Sequence, residues 1–136
     1  MAESIIIHFS EATWEKPGIF LDQVACKVGD KNWNYTDSKQ PLVFIYEDNS
    51  ILNEYEDENL DQLFEYIEDF PKSSLCIQLG RSLGNQSIEG AIELSKILLQ
   101  NFAGVVDDTF SEIWTLKDIN NRVKKQNGAF LDVYRT

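Results

Sequence analysis

A single histidine and two widely separated cysteines leave this 136-residue sequence without the raw material for most metal and nucleophile chemistry. His8 lies inside the apolar run Ile5-Ile6-Ile7-His8-Phe9, a strand pattern, and is expected to be a core or strand-face residue. One histidine cannot build the clusters of a zinc site, and no cysteine pair has ligand spacing. Cys26 and Cys76 both sit in apolar patterns, so protonated, buried and unreactive thiols in a reducing cytoplasm are expected. No stretch approaches the ~18 apolar residues of a membrane helix. The segment Met1-Ala2-Glu3-Ser4 has no basic region, and the apolar run after it is too short for a signal peptide.

The glycines are too few and too scattered to cradle a phosphate. Gly80-Arg81-Ser82-Leu83-Gly84-Asn85 sits between a strand and a helix, the right place for an anion-binding loop. It lacks the lysine of a P-loop and the third glycine of a dinucleotide fingerprint, so Arg81 reads as a turn residue. Asp107-Asp108 resembles half of a metal site, but no alternating acidic pattern accompanies it, and a solvated hairpin tip is expected. Carboxylates are abundant, yet no pair stands out in a distinct environment as acid–base chemistry requires. No catalytic residue, cofactor or metal site is therefore nominated, and the protein is expected not to be an enzyme.

What is present is the material of a globular core, with 43% hydrophobic and 12% aromatic residues. Residues 1–136 are expected to form one domain. Strand patterns fall at Ile5–Phe9, Pro41–Tyr46 and Ser74–Gly80, the last expected to be central because its apolar run is nearly continuous. Ile19–Val28 reads as a further strand after a Pro17-Gly18 turn, with Trp33, Tyr35 and Thr36 as its hairpin partner. Leu60, Leu63, Phe64, Ile67 and Phe70 recur at helical spacing, capped by Asp57 or Asn59 and ended by Pro71. A second helix opens at Asn85 or Ser87 and runs to Phe102, with Gly104 placed as a left-handed cap. Val105-Val106 and Ile113-Trp114 read as a short hairpin. Thr115 and Asp118 suggest a capping box for a third helix through Lys125, and Ala129–Tyr134 a closing strand. The fold class is α+β, a mainly antiparallel or mixed sheet with about three helices packed on it.

Charge is the outlying feature. Twelve basic residues face 23 acidic ones, a formal net charge of -11. That balance repels nucleic-acid backbones and anionic membranes, and it attracts the basic face of another protein. The surplus is local. Residues 40–71 contain no lysine or arginine but hold Glu47, Asp48, Glu54, Glu56, Asp57, Glu58, Asp61, Glu65, Glu68 and Asp69, with Tyr46, Tyr55 and Tyr66 interleaved. An electronegative patch speeds encounter with a basic partner, and tyrosines supply rigid contact area. Asp48, Glu54, Tyr55, Glu56, Asp57, Glu58, Asp61 and Glu65 are the expected partner-binding residues.

The stretch from Leu75 to Ile119 carries a further pattern. Gln78-Leu79-Gly80-Arg81 leads into a helix with Ala91, Leu94 and Leu98. That helix exits at Phe102-Ala103-Gly104-Val105-Val106-Asp107-Asp108, and Ile113-Trp114-Thr115-Leu116-Lys117-Asp118-Ile119 follows. This third of the chain resembles small immunity proteins of bacterial polymorphic-toxin and contact-dependent growth inhibition systems. The resemblance implies a cytoplasmic protein that binds and neutralises a cognate toxin, many such toxins being basic nucleases. It assigns no shared functional residues. A DNA mimic directed at a host DNA-binding protein is the alternative use of the same carboxylates.

Overall fold

Successive side chains of a strand point to opposite faces of its sheet, so a strand buried on both sides marks a sheet covered on both faces. Ser4–Phe9 (β1) is such a strand, with Ile5, Ile6, Ile7, His8 and Phe9 all buried. The structure, a computed structural model, describes residues 3–37, 40–48, 50–80 and 85–135. After β1 come α1 (Glu15–Val24), β2 (Cys26–Gly29), β3 (Asn32–Asp37), β4 (Gln40–Glu47) and a 3-10 turn at Ile51–Glu54. Next are α2 (Asp57–Phe64), β5 (Ser73–Leu79), α3 (Asn85–Asn101), β6 (Gly104–Asp107), β7 (Ile113–Trp114), α4 (Leu116–Asn120) and a 3-10 turn at Asp132–Tyr134. The strands form one sheet in the order β2-β3-β4-β5-β1-β6-β7, every pairing antiparallel. This is the expected α+β architecture, with β5 at its centre.

One face of the sheet carries the main core. Ile5, Ile7 and Phe9 meet Val43, Ile45, Leu75 and Ile77 there, under Ala91, Leu94 and Leu98 of α3 and Leu21 of α1. The other face is covered at one end. Leu63 and Ile67 pack on Val105 and Ile113, with Leu52 and Tyr55 alongside, so the 3-10 turn and α2 lie over β6 and β7. His8, Ile6, Ser74 and Cys76 point to this second face, as their registers require. Toward β4 the cover ends, and Phe44 is 40% exposed.

Several expectations are corrected. Glu15–Val24 is a helix, not a loop followed by a strand from Ile19 to Val28. Pro17 is tolerated because the first helical turn needs no N–H there, and Leu21 buries while Ile19 stays outside. Cys26 consequently falls in the short strand β2 and is exposed, not buried. The helix expected to run to Pro71 stops at Phe64. Glu65, Glu68 and Asp69 stand at its carboxyl end, where the helix dipole disfavours them. Its cap is Glu56, in a capping box with Asn59. The Thr115–Asp118 capping box forms as read, but α4 ends at Asn120. Ala129–Tyr134 is not a strand: Leu131 takes a left-handed conformation, φ 66°, and both Phe130 and Leu131 are buried in place of alternating.

Gly104 is no left-handed cap either. It opens β6 beside β1, where a Cβ would collide with the His8 carbonyl oxygen. The loop at Arg81, Ser82, Leu83 and Gly84 lies outside the described residues.

Lys125 ties the carboxyl-terminal region to the sheet. Its Nζ donates to the Ile113 carbonyl at 2.5 Å, stands 3.5 Å from Asp118 Oδ2 and lies 4.9 Å from the Trp114 ring centroid. Lys125→Ala is expected to cost about 1–2 kcal/mol, read by urea unfolding. Lys125→Met, which keeps the apolar stem, should recover part of that loss.

Candidate functional site

Four polar side chains from distant segments meet on the second face of the sheet. His8 sits cross-strand from Ser74, and its Nδ1 lies 2.7 Å from the Ser74 hydroxyl. Its Nε2 lies 2.9 Å from the hydroxyl of Tyr55, which arrives from the end of the 3-10 turn. The Tyr55 hydroxyl donates in turn to the Asp107 carboxylate at the end of β6. Asp107 also accepts the backbone N–H of Thr109 at 2.7 Å. One proton pattern satisfies the chain. Because Tyr55 donates to Asp107, Nε2–H of His8 donates to Tyr55, and Nδ1 accepts from Ser74.

Burial sets the electrostatics of this relay. His8 is fully buried among neutral groups, which pushes its pKa down to about 4. Burial raises the Tyr55 phenol, and the Asp107 charge beside it adds to that rise. Burial also raises the Asp107 carboxyl, outweighing the bonds from Tyr55 and Thr109 that lower it, with the Asp108 charge adding to the rise. A neutral imidazole bonded at both nitrogens and a raised phenol make a poor base and a poor nucleophile. The relay holds the 3-10 turn and the end of β6 in fixed register.

Asp107 and Tyr55 also line a pocket of about 360 Å³ between the 3-10 turn, α2 and the turn after β6. That turn is built on Asp108, which is buried, contrary to the expected solvated hairpin tip. Its Oδ1 accepts the backbone N–H groups of Phe110, Ser111 and Glu112, and its Oδ2 accepts the Trp114 indole N–H at 3.0 Å. The side chain of Gln62 donates to the Ser111 carbonyl and ties α2 to the same turn.

The residues expected to bind a partner divide into three groups. Glu54 on the 3-10 turn, Asp57, Glu58 and Asp61 on α2, and Glu56 and Glu65 at the two caps of α2 are all exposed on one turn–helix unit. Asp48 is half-buried just past the end of β4, where it accepts from the Ser50 hydroxyl and its charge acts on Tyr55. Tyr55 turns inward, and its hydroxyl is spent on His8 and Asp107. Among the described residues no ion pair reaches any carboxylate from Glu54 to Asp69.

Exposed aromatics adjoin these acids, and sequence reasoning missed them. Phe64 and Phe70 stack edge to face at 5.2 Å, with Phe70 55% exposed. A groove of about 490 Å³ is walled by Tyr66, Glu68, Asp69 and Phe70 together with Ser10, Glu11 and Lys72, so it mixes acidic, basic and aromatic groups. Phe110 projects from the turn beside the Tyr55 pocket. Phe64 and Phe70 fit the helical apolar stripe, so nothing in the pattern marked them as outward-facing.

Among the described residues no cluster of three or more His, Cys, Asp or Glu side chains could hold a metal ion, and no helix is long and apolar enough to cross a membrane. Comparison of the chain with protein families, with curated proteins and with solved structures finds no match.

Proposed function

We propose that this protein is a binding protein whose 3-10 turn and α2 engage a basic surface of another protein. We further propose that the partner is a toxin domain, foremost a nuclease, neutralised when its active site or substrate groove is covered. One observation carries the binding assignment: carboxylates that, among the described residues, have no ion-pair partner lie on the same turn–helix segment as a stacked, exposed Phe64–Phe70 pair, with Glu68 and Asp69 sharing a groove with Phe70. Unpaired surface charge alone serves solubility. Large aromatics left in water beside it are costly unless a partner covers them, and aromatics dominate the energetic centres of interfaces. The toxin assignment is supported by the resemblance of Leu75–Ile119 to immunity proteins and by the fit of an acidic face to a nucleic-acid-binding surface.

Capture from lysate of the source cells, with salt-titrated elution, tests the proposal. One stoichiometric basic protein that kills cells when expressed alone is the expected catch. Several unrelated DNA-binding proteins would instead place the acids in DNA mimicry. With the partner in hand, Asp57→Lys, Asp61→Lys and Glu65→Lys combined should slow association about ten-fold at low salt, the difference shrinking as salt screens the field. Unchanged association at every salt concentration would retire the acidic face as the docking surface.

A further inference from the structure

The pocket beside Tyr55 has features that the acidic surface around it does not share. Its volume of about 360 Å³ falls in the range of small-ligand sites, and among the described residues no basic side chain lines it. Asp107 in its wall is half-buried, and both of its oxygens are engaged, by the Tyr55 hydroxyl and the Thr109 N–H. Neither donor is charged. Among the described residues no ion pair reaches Asp107. A carboxylate partly removed from water and held by neutral donors alone is electrostatically incomplete. The relay through His8 and Ser74 fixes its orientation.

The rest of the wall is ordered to suit a particular guest. Ile51 is apolar, Phe110 offers an aromatic face that is 57% exposed, and Glu54 adds a second carboxylate. A methylene stem suits the first, a cation the second, and a charged fork the carboxylates. Each Asp107 oxygen retains a lone pair, and a guanidinium can address both at once where an ammonium cannot. The amide of Gln62 donates its N–H to the Ser111 carbonyl, which leaves its oxygen as a further acceptor in this wall.

We propose that this pocket receives one arginine side chain of the basic partner, its guanidinium on Asp107 and its stem between Ile51 and Phe110. The assignment rests on the reading of this face as a partner-binding surface, but it is measurable without the partner. Isotope-labelled protein is titrated at low salt with n-butylguanidinium, and with n-butylurea as its uncharged match. Saturable shifts of the Tyr55, Thr109 and Phe110 amides are expected with the guanidinium and not with the urea. Asp107→Asn keeps an oxygen to accept from Tyr55 and should weaken binding at least ten-fold. Phe110→Ala, at an exposed position that cannot disturb the core, should weaken it several-fold, and Asp30→Asn at the far edge of the sheet should leave it unchanged. Non-saturating shifts spread over all the acidic residues would overturn the assignment, as would unaltered affinity in Phe110→Ala. A partner captured from lysate alongside a failed titration would retire the pocket alone. A successful titration with no partner captured would leave the pocket standing and retire the partner.

Discussion

Asp108→Ala is expected to destabilise the protein by about 3–5 kcal/mol and to lower its melting temperature by roughly 10–15 °C. Asp108 is 3% exposed, and its carboxylate is the common acceptor for three backbone N–H groups and the Trp114 indole. Alanine removes four bonds and leaves the indole N–H without an acceptor inside the core. Trp114 is itself 2% exposed and packs on Phe130, so it cannot swing out to find water. The turn also anchors the carboxyl-terminal segment, because the Tyr134 hydroxyl donates to the Asp108 carbonyl. Asp108→Asn separates the two roles of the side chain. Its one oxygen can still accept from the three amides, while its NH2 group would oppose the indole N–H, so a smaller loss of about 1–2 kcal/mol is expected. Urea unfolding measures both. An alanine variant within about 1 kcal/mol of the parent would show that the turn is held by something other than this carboxylate.

How much of this was legible in the sequence depended on how local each cause is. β1, β4 and β5 were found because β-branched and apolar runs write strand preference into adjacent residues. α1 was missed because Pro17-Gly18 reads as a turn, although the same pair is compatible with a first helical turn. The apolar pattern overruns α2 because Ile67 stays buried after the helix has ended at Phe64. Burial continued; hydrogen bonding did not. The acidic segment was visible from composition alone, and six of its eight nominated residues lie exposed on the turn–helix unit. The relay was not visible, because its bonds join residues separated by 66, 47 and 52 positions. No local pattern pairs His8 with Ser74, Tyr55 or Asp107. Asp108 left a fainter signal, an aspartate just before a short hairpin return ending in tryptophan, but the same residues also suit an exposed tip.

Acidification should destabilise the protein through His8. Its folded pKa is pushed down to about 4 from an ordinary value of 6.5. Between those values the unfolded chain binds a proton that the folded chain refuses, so stability rises with pH through this window. The contribution of a neutral His8 is fully present above pH 6.5 and is lost as the pH falls toward 4. The gap corresponds to about 3 kcal/mol. Ser74 from β5 and Tyr55 from the segment before α2 bond His8 and are neutral, and Val105 opposite it on β6 is apolar. The nearest carboxylate of the relay is Asp107, one bond further on through Tyr55. Asp107 works in the opposite sense. Its folded pKa is raised, so it takes a proton more readily in the folded state, and acid relieves the cost of its buried charge. The net charge of -11 adds a third effect, since acid also reduces self-repulsion. A difference measurement isolates the histidine: urea unfolding of the parent and of His8→Gln at matched pH values from 7 to 4. The parent should lose about 3 kcal/mol more than the variant across the window, since glutamine has no proton to gain. Parallel curves would mean that His8 takes up its proton equally in the folded and unfolded chains, and that burial does not hold the imidazole neutral.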